Sequence, residues 1–379
     1  RYALFPAMCL FAAALALILS FRFCNLKYQK AADFATEENV SYEAIFLERN
    51  SVFSSGTYCT VRLRSISGTP INCKATLFLP TVSDLSVNNI FSGYATIQPP
   101  GDTDSEIRQS MADGIFLSLE ADNGDYTLLG QDTGIGASLR LWKAKLSGFV
   151  EASLKRDAAA LVSAMLFGNR FSVNAQIRLN FRMLGISHLL AISGMHLSVV
   201  AYLLHRMMRR LFPPRAAIPI VIAAIWLFAA LIGLPYSVVR AAIMLTFIQA
   251  SFLLRRENDT ITALVAAAAI ITAVSPMALF SLSFQMSFLA TLGLCTLGFA
   301  MQKALVRRIS AKHFRGKILR YFLSLSCATI SAVLFTLPTA VYAVGSLSAV
   351  CLTMSFVFIP LSTVFLSVAP LLVPLLGVA

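Results

Sequence analysis

Residues 181–204 read FRMLGISHLLAISGMHLSVVAYLL. The run is long enough to cross a bilayer, since a spanning helix takes about 20 apolar residues. It nevertheless carries His188, Ser193, Gly194 and His196 along its length. Hydrogen-bonding side chains placed within a span usually face a bundle interior or a water-filled path. We therefore expect this segment to be a helix that lines a passage through a membrane.

The composition of the whole chain is that of a membrane protein. Of its 379 residues, 57% are hydrophobic and 13% are charged, whereas soluble domains are about half apolar and about a quarter charged. We expect a polytopic α-helical membrane protein. The chain starts at Arg1 rather than at Met and stops at Ala379 within an apolar run, so we also expect a fragment of a longer protein.

Apolar runs on both sides of the opening stretch define the other expected membrane helices. Residues 3–21 form the first, and we expect a retained transmembrane helix within residues 1–24 because no small-residue cleavage site follows it. Further runs follow at 216–234, 237–254, 260–274, 277–300 and 321–343, and a proline-broken run extends from 346 to the end. Residues 181–379 are thus expected to form a polytopic channel-type domain.

The net charge of +13 belongs to the membrane half of the chain. Residues 146–379 contain 19 Lys or Arg and four acidic residues, whereas residues 25–145 contain 10 basic and 14 acidic residues. The basic residues concentrate in alternate loops, at 206–215, 255–256 and 303–320, and the turns between them, at 234–236, 275–276 and 345–346, carry none. Because Lys and Arg collect in cytoplasmic loops, we expect the three basic loops to be cytoplasmic.

Residues 25–140 have a different character and predict an inserted small all-β domain on the extracytoplasmic side. Short runs with a period of two occur at 40–49, 57–66, 72–80, 90–97 and 114–121, and SGTP at 67–70 predicts a hairpin turn. An OB-like barrel fits five strands, although a sandwich fragment gives a similar pattern. Cys59 and Cys73 fall in adjacent strands outside the membrane, where a disulfide between them would persist.

Residues 141–180 connect the two regions, and their pattern predicts an interfacial helix. Apolar residues recur at helical spacing between Leu141 and Phe167, with charged residues opposite them. A helix of this kind lies in the plane of the membrane surface with its apolar face in the acyl boundary. We expect it to hold basic residues beside the β domain, including Arg170.

Several polar residues of the membrane half are candidates for a binding or catalytic role. Arg240 lies at the outer end of an expected span, where it is either an interfacial anchor or an anion contact at the mouth of a passage. Ser193 and His196 share a helix face, which leaves an intramembrane serine hydrolase open, although no orienting residue is visible. Gln285 either ties helices together or contacts a substrate.

The predicted β domain has its own candidate contact surface. Arg62 and Arg64 share a strand face by their two-residue spacing, and Lys74 lies on the next strand. Tyr58 and Phe78 offer stacking surfaces for bases nearby. The alternative is an ordinary solvated face, because the domain as a whole is acidic.

The motif HLLAISGMH at 188–196 resembles the ComEC family of bacterial competence proteins, which pass single-stranded DNA through the cytoplasmic membrane. AAALVSAMLFGNR at 158–170, VRAAIM at 239–244 and SFQMSFLATLG at 283–293 follow the order of the family. The resemblance implies a membrane channel whose outer OB-like region receives DNA. Many members continue into a metallo-β-lactamase-like domain, but no His-x-His-x-Asp-His cluster occurs here, so we expect no enzyme activity, metal or cofactor in this chain.

Together these observations predict a multi-pass protein of the bacterial cytoplasmic membrane that conducts single-stranded DNA during uptake. The expected contacts with DNA in the membrane half are Arg170, Arg178, Arg182, His188, Ser193, Gly194, His196, Arg240 and Gln285. The expected partners are membrane lipids, a DNA-uptake receptor and a cytoplasmic motor or single-strand-binding protein. A separate motor is expected because the chain has no nucleotide-binding loop of the GxxxxGK[ST] kind. A transporter for a smaller anionic solute and an intramembrane hydrolase remain the alternatives.

Overall fold

A computed structural model describes residues 38–53, 56–80, 85–190, 192–254, 259–306, 314–344 and 351–376, together with five isolated residues between 18 and 29. The chain divides into two compact units, one made of residues 1–148 and 269–281 and the other of residues 149–268 and 282–379. The expected N-terminal helix at 3–21 lies almost wholly outside the described residues. The same is true of the basic loop at 255–256.

The first unit contains a closed five-stranded β-barrel. Its strands are β1 (Val40–Phe53), β2 (Gly56–Ile66), β3 (Thr69–Leu79), β4 (Asn89–Gln98) and β5 (Ile115–Gln131). They close in the order β1-β2-β3-β5-β4, with β1 paired to β4. Only the pairing of β3 with β5 is parallel among the described strands. The five strands predicted from the period-two pattern are confirmed.

The barrel interior is filled by the inward-facing residues of every strand. Leu63, Leu77, Phe91 and Leu119 are almost completely buried, whereas their chain neighbours face outward. The β2–β3 hairpin turns at Ser67 and Gly68, which both have positive φ angles, as a two-residue hairpin turn of the primed type requires. The predicted turn at 67–70 is therefore correct.

The possible disulfide between Cys59 and Cys73 is absent, because neither of these two buried cysteines is in a disulfide. The register of β2 and β3 pairs Cys59 with Leu77 and Leu63 with Cys73. The two cysteines are therefore offset by four residues along the ladder, or about 13 Å at the usual rise of a strand. A disulfide needs Cα atoms within about 7 Å, so the two thiols cannot meet in this fold.

A helix that the sequence pattern did not predict lies between β4 and β5. Helix α1 (Asp104–Ala112) begins with a capping box in which the Thr103 hydroxyl accepts from the Glu106 amide and the Glu106 carboxylate accepts from the Thr103 amide. Its Met111 packs against Met277. The Ser281 hydroxyl also donates to the Asp113 carboxylate over 3.0 Å. Helix α1 is thus joined to the turn at residues 276–281.

The remaining helices carry the membrane half of the sequence. They are α2 (Ile135–Ser153), α3 (Arg156–Phe167), α4 (Ala175–Met183), α5 (Gly194–Leu211), α6 (Pro214–Ile232), α7 (Tyr236–Leu254), α8 (Thr260–Val274), α9 (Leu282–Gly293), α10 (Phe314–Val344) and α11 (Cys351–Leu376). The helix continues beyond α9 as far as Val306. Two segments of this continuation, Leu294–Gly298 and Gln302–Val306, are π-helical. Single turns of 3₁₀ helix occur at Arg170–Ser172, Ser187–Leu189 and Pro276–Phe280.

Two helices predicted as continuous are interrupted. The amphipathic stretch from Leu141 to Phe167 is divided between α2 and α3, because Lys155 has an extended backbone conformation. The opening stretch at 181–204 is not one helix either, since α4 ends at Met183 and α5 begins at Gly194. The polar residues of that stretch therefore lie at a helix break and not along a single helical face.

Four helices of the described chain are long and apolar enough to cross a membrane: Pro214–Ile232, Tyr236–Leu254, Leu282–Val306 and Gly316–Ala343. Small residues permit close packing between two of them. A Cβ added at Gly293 would lie 2.5 Å from the Ser331 carbonyl oxygen and 2.8 Å from Cγ of Phe335. Small residues at membrane helix contacts let backbones approach closely. The close contact of α9 with α10 depends on Gly293.

Candidate functional site

The central feature of the helical unit is the irregular segment between α4 and α5. Gly185 has a φ of +70°, which turns the chain out of α4. The Ile186 amide donates to the Phe181 carbonyl, and a single 3₁₀ turn at Ser187–Leu189 follows. Non-helical backbone at membrane depth is tolerated only where protein buries it or where it lines a cavity. This segment meets the first condition in part, because Ile186, Leu189 and Ile192 are buried.

Ser193 and His196 together form the cap of α5. The Ser193 amide donates to Nδ1 of His196 over 3.2 Å, and the Ser193 hydroxyl lies 2.9 Å from the same nitrogen. Because Nδ1 accepts from the amide, the proton of the neutral imidazole resides on Nε2. His196 is only 1% exposed, and its Nε2 has no hydrogen-bond partner among the described residues. The imidazole therefore offers a buried, unused N–H donor.

Arg240 lies near the start of α7, and its guanidinium is enclosed by protein. The residue is 9% exposed. Nη1 donates to the Ser287 carbonyl and to the Thr291 hydroxyl, both on α9, and Cζ lies 6.0 Å from the ring centroid of Phe288. No carboxylate pairs with Arg240 in the described part of the chain. The guanidinium does not reach outward to an interface, so an interfacial anchor does not describe it.

The start of α5 lies directly against Arg240. A Cβ added at Gly194 would be 2.5 Å from Nη2 of Arg240 and 3.1 Å from Cβ of Ala241. A larger residue at position 194 would have to displace the Arg240 guanidinium, so glycine favours this close approach of α5 to α7. On the same side, the Ser237 hydroxyl donates to the Ile192 carbonyl over 3.1 Å. Helix α7 therefore supports both the unwound segment and the first residue of α5.

This arrangement has the electrostatic character of an anion site. The N-terminus of a helix carries a partial positive charge and free amide groups that attract anions. Here the guanidinium of Arg240 adds a full charge beside Gly194. Nε of Arg240 and Nε2 of His196 are both buried donors without partners among the described residues. We call Ser193, Gly194, His196 and Arg240 the α5 start site.

The other residues predicted for the membrane half lie outside this group. His188 is exposed on the 3₁₀ turn, although it is close enough to interact electrostatically with His196, and Gln285 is half-buried on α9. Arg170 and Arg182 are exposed and Arg178 is half-buried, on the turn before α4 and on α4 itself. The structure therefore brings four of the nine predicted residues together.

Three residues of the site were missed by sequence reasoning. Ser287 and Thr291 bind Arg240 and are four residues apart on α9, and Ser237 lies three residues before Arg240 on α7. The spacing of Ser287 and Thr291 places both on one face of α9. That polar stripe was the available signal for a buried partner of Arg240.

The second predicted surface, on the barrel, is assembled as the pattern indicated. Arg62 on β2 pairs directly with Lys74 on β3, and Arg64 points to the same outer side two residues along. Tyr58 pairs with Phe78 in the same ladder, with ring centroids 4.7 Å apart. We call Arg62, Arg64 and Lys74 the barrel cation cluster.

The charge of this cluster is incompletely neutralised. Burial and the nearby cations Arg62 and Arg140 lower the pKa of Lys74, and the carboxylates of Glu48 and Asp113 oppose this shift only in part. Arg140 itself is bound to Asp132 over 2.9 Å and to Asn88 over 2.7 Å, and Lys143 is bound to Glu48. Like charges opposite one another on a sheet are destabilising, so the barrel tolerates an unfavourable pair at Arg62 and Lys74.

Comparison with known proteins places these features in a family context. A family profile described as Competence protein matches residues 165–379, which include the α5 start site. The chain is 27% identical over 216 residues to ComE operon protein 3 of Bacillus subtilis (strain 168), a match that covers 57% of this chain. The same match covers 26% of that relative, so the chain spans about a quarter of its length. No solved structure matches this chain.

Proposed function

The chain belongs to the competence protein family, and on this basis we propose that it forms a channel for single-stranded DNA. The strand would cross the bacterial cytoplasmic membrane during DNA uptake in natural transformation. Membership of the family rests on the match to residues 165–379. The four long apolar helices support a multi-pass membrane location.

The observation that carries the proposal is a buried cation without a carboxylate partner in the described chain, held at the start of a broken helix. Leaving a charge buried and unpaired costs several kcal/mol, and Arg240 is 9% exposed. A phosphodiester oxygen would neutralise it and would accept from the free N–H groups of Arg240 and His196. Contacts of this kind do not depend on base sequence, as passage of any DNA strand requires.

We assign the other polar residues of the membrane half to the same path. His188 and Gln285 would extend the polar wall beyond the α5 start site. Arg170, Arg178 and Arg182, exposed or half-buried on and before α4, would draw the backbone of the strand toward it by long-range attraction.

The barrel would receive the strand before it enters the membrane. A closed barrel of five strands in the order β1-β2-β3-β5-β4 supports assignment to the OB type. On the same outer face, the Tyr58–Phe78 pair lies four residues along the ladder from Arg62 and Lys74, about 13 Å at the usual rise of a strand. Single-strand-binding proteins combine a basic groove for the backbone with aromatic rings for the bases, and this face offers both chemistries.

An extracytoplasmic position of the barrel is supported by the contact of α1 with residues 276–281. Met277 packs on Met111, and Ser281 bonds to Asp113. These residues follow α8, at the end opposite the basic loop at 255–256. If α8, an apolar helix of 15 residues, crosses the membrane and that loop is cytoplasmic by the positive-inside rule, the contact would bring the barrel to the outer side.

A serine hydrolase is the weaker reading of Ser193 and His196. Their 2.9 Å contact uses Nδ1, which already accepts from the Ser193 amide, and Nε2 has no partner among the described residues that would orient the ring. A channel for a smaller anionic solute would use the same α5 start site, but it would give no role to the barrel cation cluster. A DNA-uptake receptor, a motor and single-strand-binding proteins complete the proposed system.

Complementation of a competent host that lacks its own channel tests the proposal. The complete reading frame is expressed unaltered, with the barrel cation cluster replaced by glutamine, or with residues 38–131 deleted, and internalised labelled DNA is measured. We expect uptake with the unaltered protein, reduced uptake with the glutamine variant and none with the deletion. Equal membrane abundance of the three proteins is the necessary control.

The same strains separate the alternatives. Uptake that is unaffected by loss of the barrel would remove the barrel from the path. No uptake by the unaltered protein, in a host whose other uptake components work with a control channel, would favour the small-anion transporter. Covalent labelling of Ser193 by a serine-directed fluorophosphonate would favour the hydrolase.

A further inference from the structure

A second basic site lies in the helical unit, apart from both surfaces described above. The π-helical end of α9 and the first turns of α10 enclose a cleft of about 510 Å³. Its lining residues come from these two segments alone: Phe299, Gln302, Lys303, Val306, Lys317, Arg320, Tyr321 and Ser324. We call it the α9–α10 cleft.

The cleft has three cations and no acid. Lys303, Lys317 and Arg320 line it, and none of its eight lining residues is acidic. All three cations are exposed, and none takes part in an ion pair among the described residues. Like charges held together without counter-ions attract an anion from the surroundings.

Polar groups between the cations are fixed by the packing of the two helices. Nε2 of Gln302 donates to the Ser324 hydroxyl over 3.0 Å, which ties α9 to α10 at the base of the cleft. The turn that carries Gln302 and Lys303 is π-helical. Such wide turns are rare and occur frequently at functional sites. The cleft is thus a feature built by the local backbone.

The cleft lies where one candidate membrane span ends and the next begins, and it opens beside exposed apolar side chains. It is formed where Leu282–Val306 ends and Gly316–Ala343 begins. Phe299 is 58% exposed and Tyr321 is 53% exposed, and Leu319 on α10 is 56% exposed. Large exposed apolar side chains at the end of a span face lipid chains, and aromatic rings are enriched at this depth.

We propose that the α9–α10 cleft binds the headgroup of an anionic phospholipid. The phosphodiester would lie among Lys303, Lys317 and Arg320, and the acyl chains would run along Phe299 and the exposed apolar face of α10. Basic pockets between transmembrane helices on the cytoplasmic side of membrane proteins bind such headgroups. A DNA strand would also find cations and aromatic rings here, but the exposed aliphatic side chains of Ile318 and Leu319 on α10 favour acyl chains over bases. The inference does not depend on the transport of DNA.

The experiment is lipid binding to the full chain in detergent, measured by native mass spectrometry. Phosphatidylglycerol and phosphatidylcholine with identical chains are titrated against the unaltered protein and against the Lys303→Gln, Lys317→Gln, Arg320→Gln variant. The matched control replaces Arg206, Arg209 and Arg210 of α5 by glutamine and removes the same charge from the basic C-terminal turns of that helix. Each cation near an anionic lipid contributes roughly fivefold in affinity.

We therefore expect the triple variant to bind phosphatidylglycerol on the order of 100-fold more weakly, with binding of phosphatidylcholine unchanged and the α5 control unaffected. Equal binding of the two lipids by the unaltered protein would overturn the proposal. Equal losses in the two triple variants would also overturn it, because they would reflect net charge alone. Unchanged thermal melting of each variant shows that it is folded.

Two competitors identify the source of the phosphate. Glycerol phosphate has the headgroup chemistry without acyl chains, and oligothymidylate has the phosphodiester of DNA. We expect neither to displace phosphatidylglycerol at concentrations comparable to that of the lipid. Displacement by glycerol phosphate would replace the lipid site with a free-phosphate site. Displacement by oligothymidylate, lost in the cleft variant, would make the cleft a nucleic-acid contact instead.

Discussion

The contact between Gly194 and Arg240 makes a prediction with a defined size. In the Gly194→Ala protein the new Cβ would lie 2.5 Å from Nη2 of Arg240 and 3.1 Å from Cβ of Ala241. The guanidinium is the far end of a flexible side chain, but it is held by Ser287 and Thr291. Overpacking of a well-packed interior costs about 1–3 kcal/mol. We expect a destabilisation of that size.

A double-mutant cycle assigns this loss to the pair. The Arg240→Ala substitution removes Nη2, the atom closest to the new Cβ at position 194. The free energy of unfolding of the double variant is therefore expected to exceed the value calculated by adding the two single effects by about 1–2 kcal/mol, within the usual range for residues in contact. Thermal unfolding of the purified chain is the assay. At an unfolding entropy of about 2.1 cal/mol/K per residue, 1 kcal/mol corresponds to roughly 1 °C for a chain of 379 residues.

Gly148→Ala is the matched control for the cycle. Gly148 is helical and has nothing within 4 Å of an added Cβ, so alanine there is expected to raise stability by up to about 1 kcal/mol through helix propensity. Unchanged melting of Gly194→Ala would refute the close approach of α5 to α7. Simple additivity of Gly194→Ala and Arg240→Ala would refute the contact between these two residues.

Other regions of the chain give three further predictions. Gly293→Ala is expected to destabilise the protein more than Gly194→Ala, because the new Cβ would lie 2.5 Å from the backbone oxygen of Ser331. A lower melting temperature for Gly194→Ala than for Gly293→Ala would contradict this. Burial raises the pKa of the Cys59 thiol to about 11 from an ordinary 9.0, so alkylation at pH 8 is expected to be about 100-fold slower than for an exposed thiol. Because the folded-state pKa of Cys59 lies above the unfolded value, the stabilisation that comes from the neutral thiol is complete below pH 9 and is lost as the pH rises toward 11. Alkylation as fast as that of an exposed thiol would contradict the burial of Cys59. A stability that falls no more between pH 9 and 11 than that of Cys59→Ala would contradict it as well. Replacing the barrel cation cluster by glutamine is expected to reduce the slope of log affinity for oligothymidylate against log salt by about 2, since each phosphate contact on a single strand contributes about 0.7, and an unchanged slope would exclude these contacts.

The barrel and the spans were predictable because their signals are local. A period of two along β2 and β3 reports which side chains enter the barrel, and long apolar runs report the membrane helices. The turn at 67–70 sets the register of β2 and β3 only as far as Ser65, and an irregularity between Leu63 and Ser65 then shifts the register by one residue. The alignment of Arg62 with Lys74 and of Tyr58 with Phe78 depends on this shift, which the turn alone does not predict. The same register explains why Cys59 and Cys73 do not meet.

The break before α5 was not predictable from the same signals. Residues 186–192 are mostly apolar and contain no proline, so their composition fits a continuous helix. The break depends on the positive φ of Gly185 and on the cap formed by Ser193 and His196. A histidine in the third position of a helix is an unusual capping partner, and its role emerges only when Nδ1 is seen to accept from the Ser193 amide.

The environment of Arg240 required the tertiary structure. Sequence placed it near the end of a span, where an anchor at the interface and an anion contact were equally open. The fold decides between burial and exposure, because α5 and α9 both contact the first turns of α7. Such contacts join residues about 50 positions apart along the chain, a separation at which local periodicity carries no information.

The most direct test of the central claim is DNA uptake by a competent host that lacks its own channel and carries the complete reading frame with Arg240 intact, Arg240→Lys or Arg240→Ala. Membrane abundance and melting temperature are matched, and internalised labelled strand is measured. We predict uptake with Arg240, partial uptake with lysine, which keeps the charge but not the geometry of the guanidinium, and loss with alanine. Uptake by the alanine protein at the level of the unaltered protein would contradict the claim that the α5 start site lies on the path of the strand.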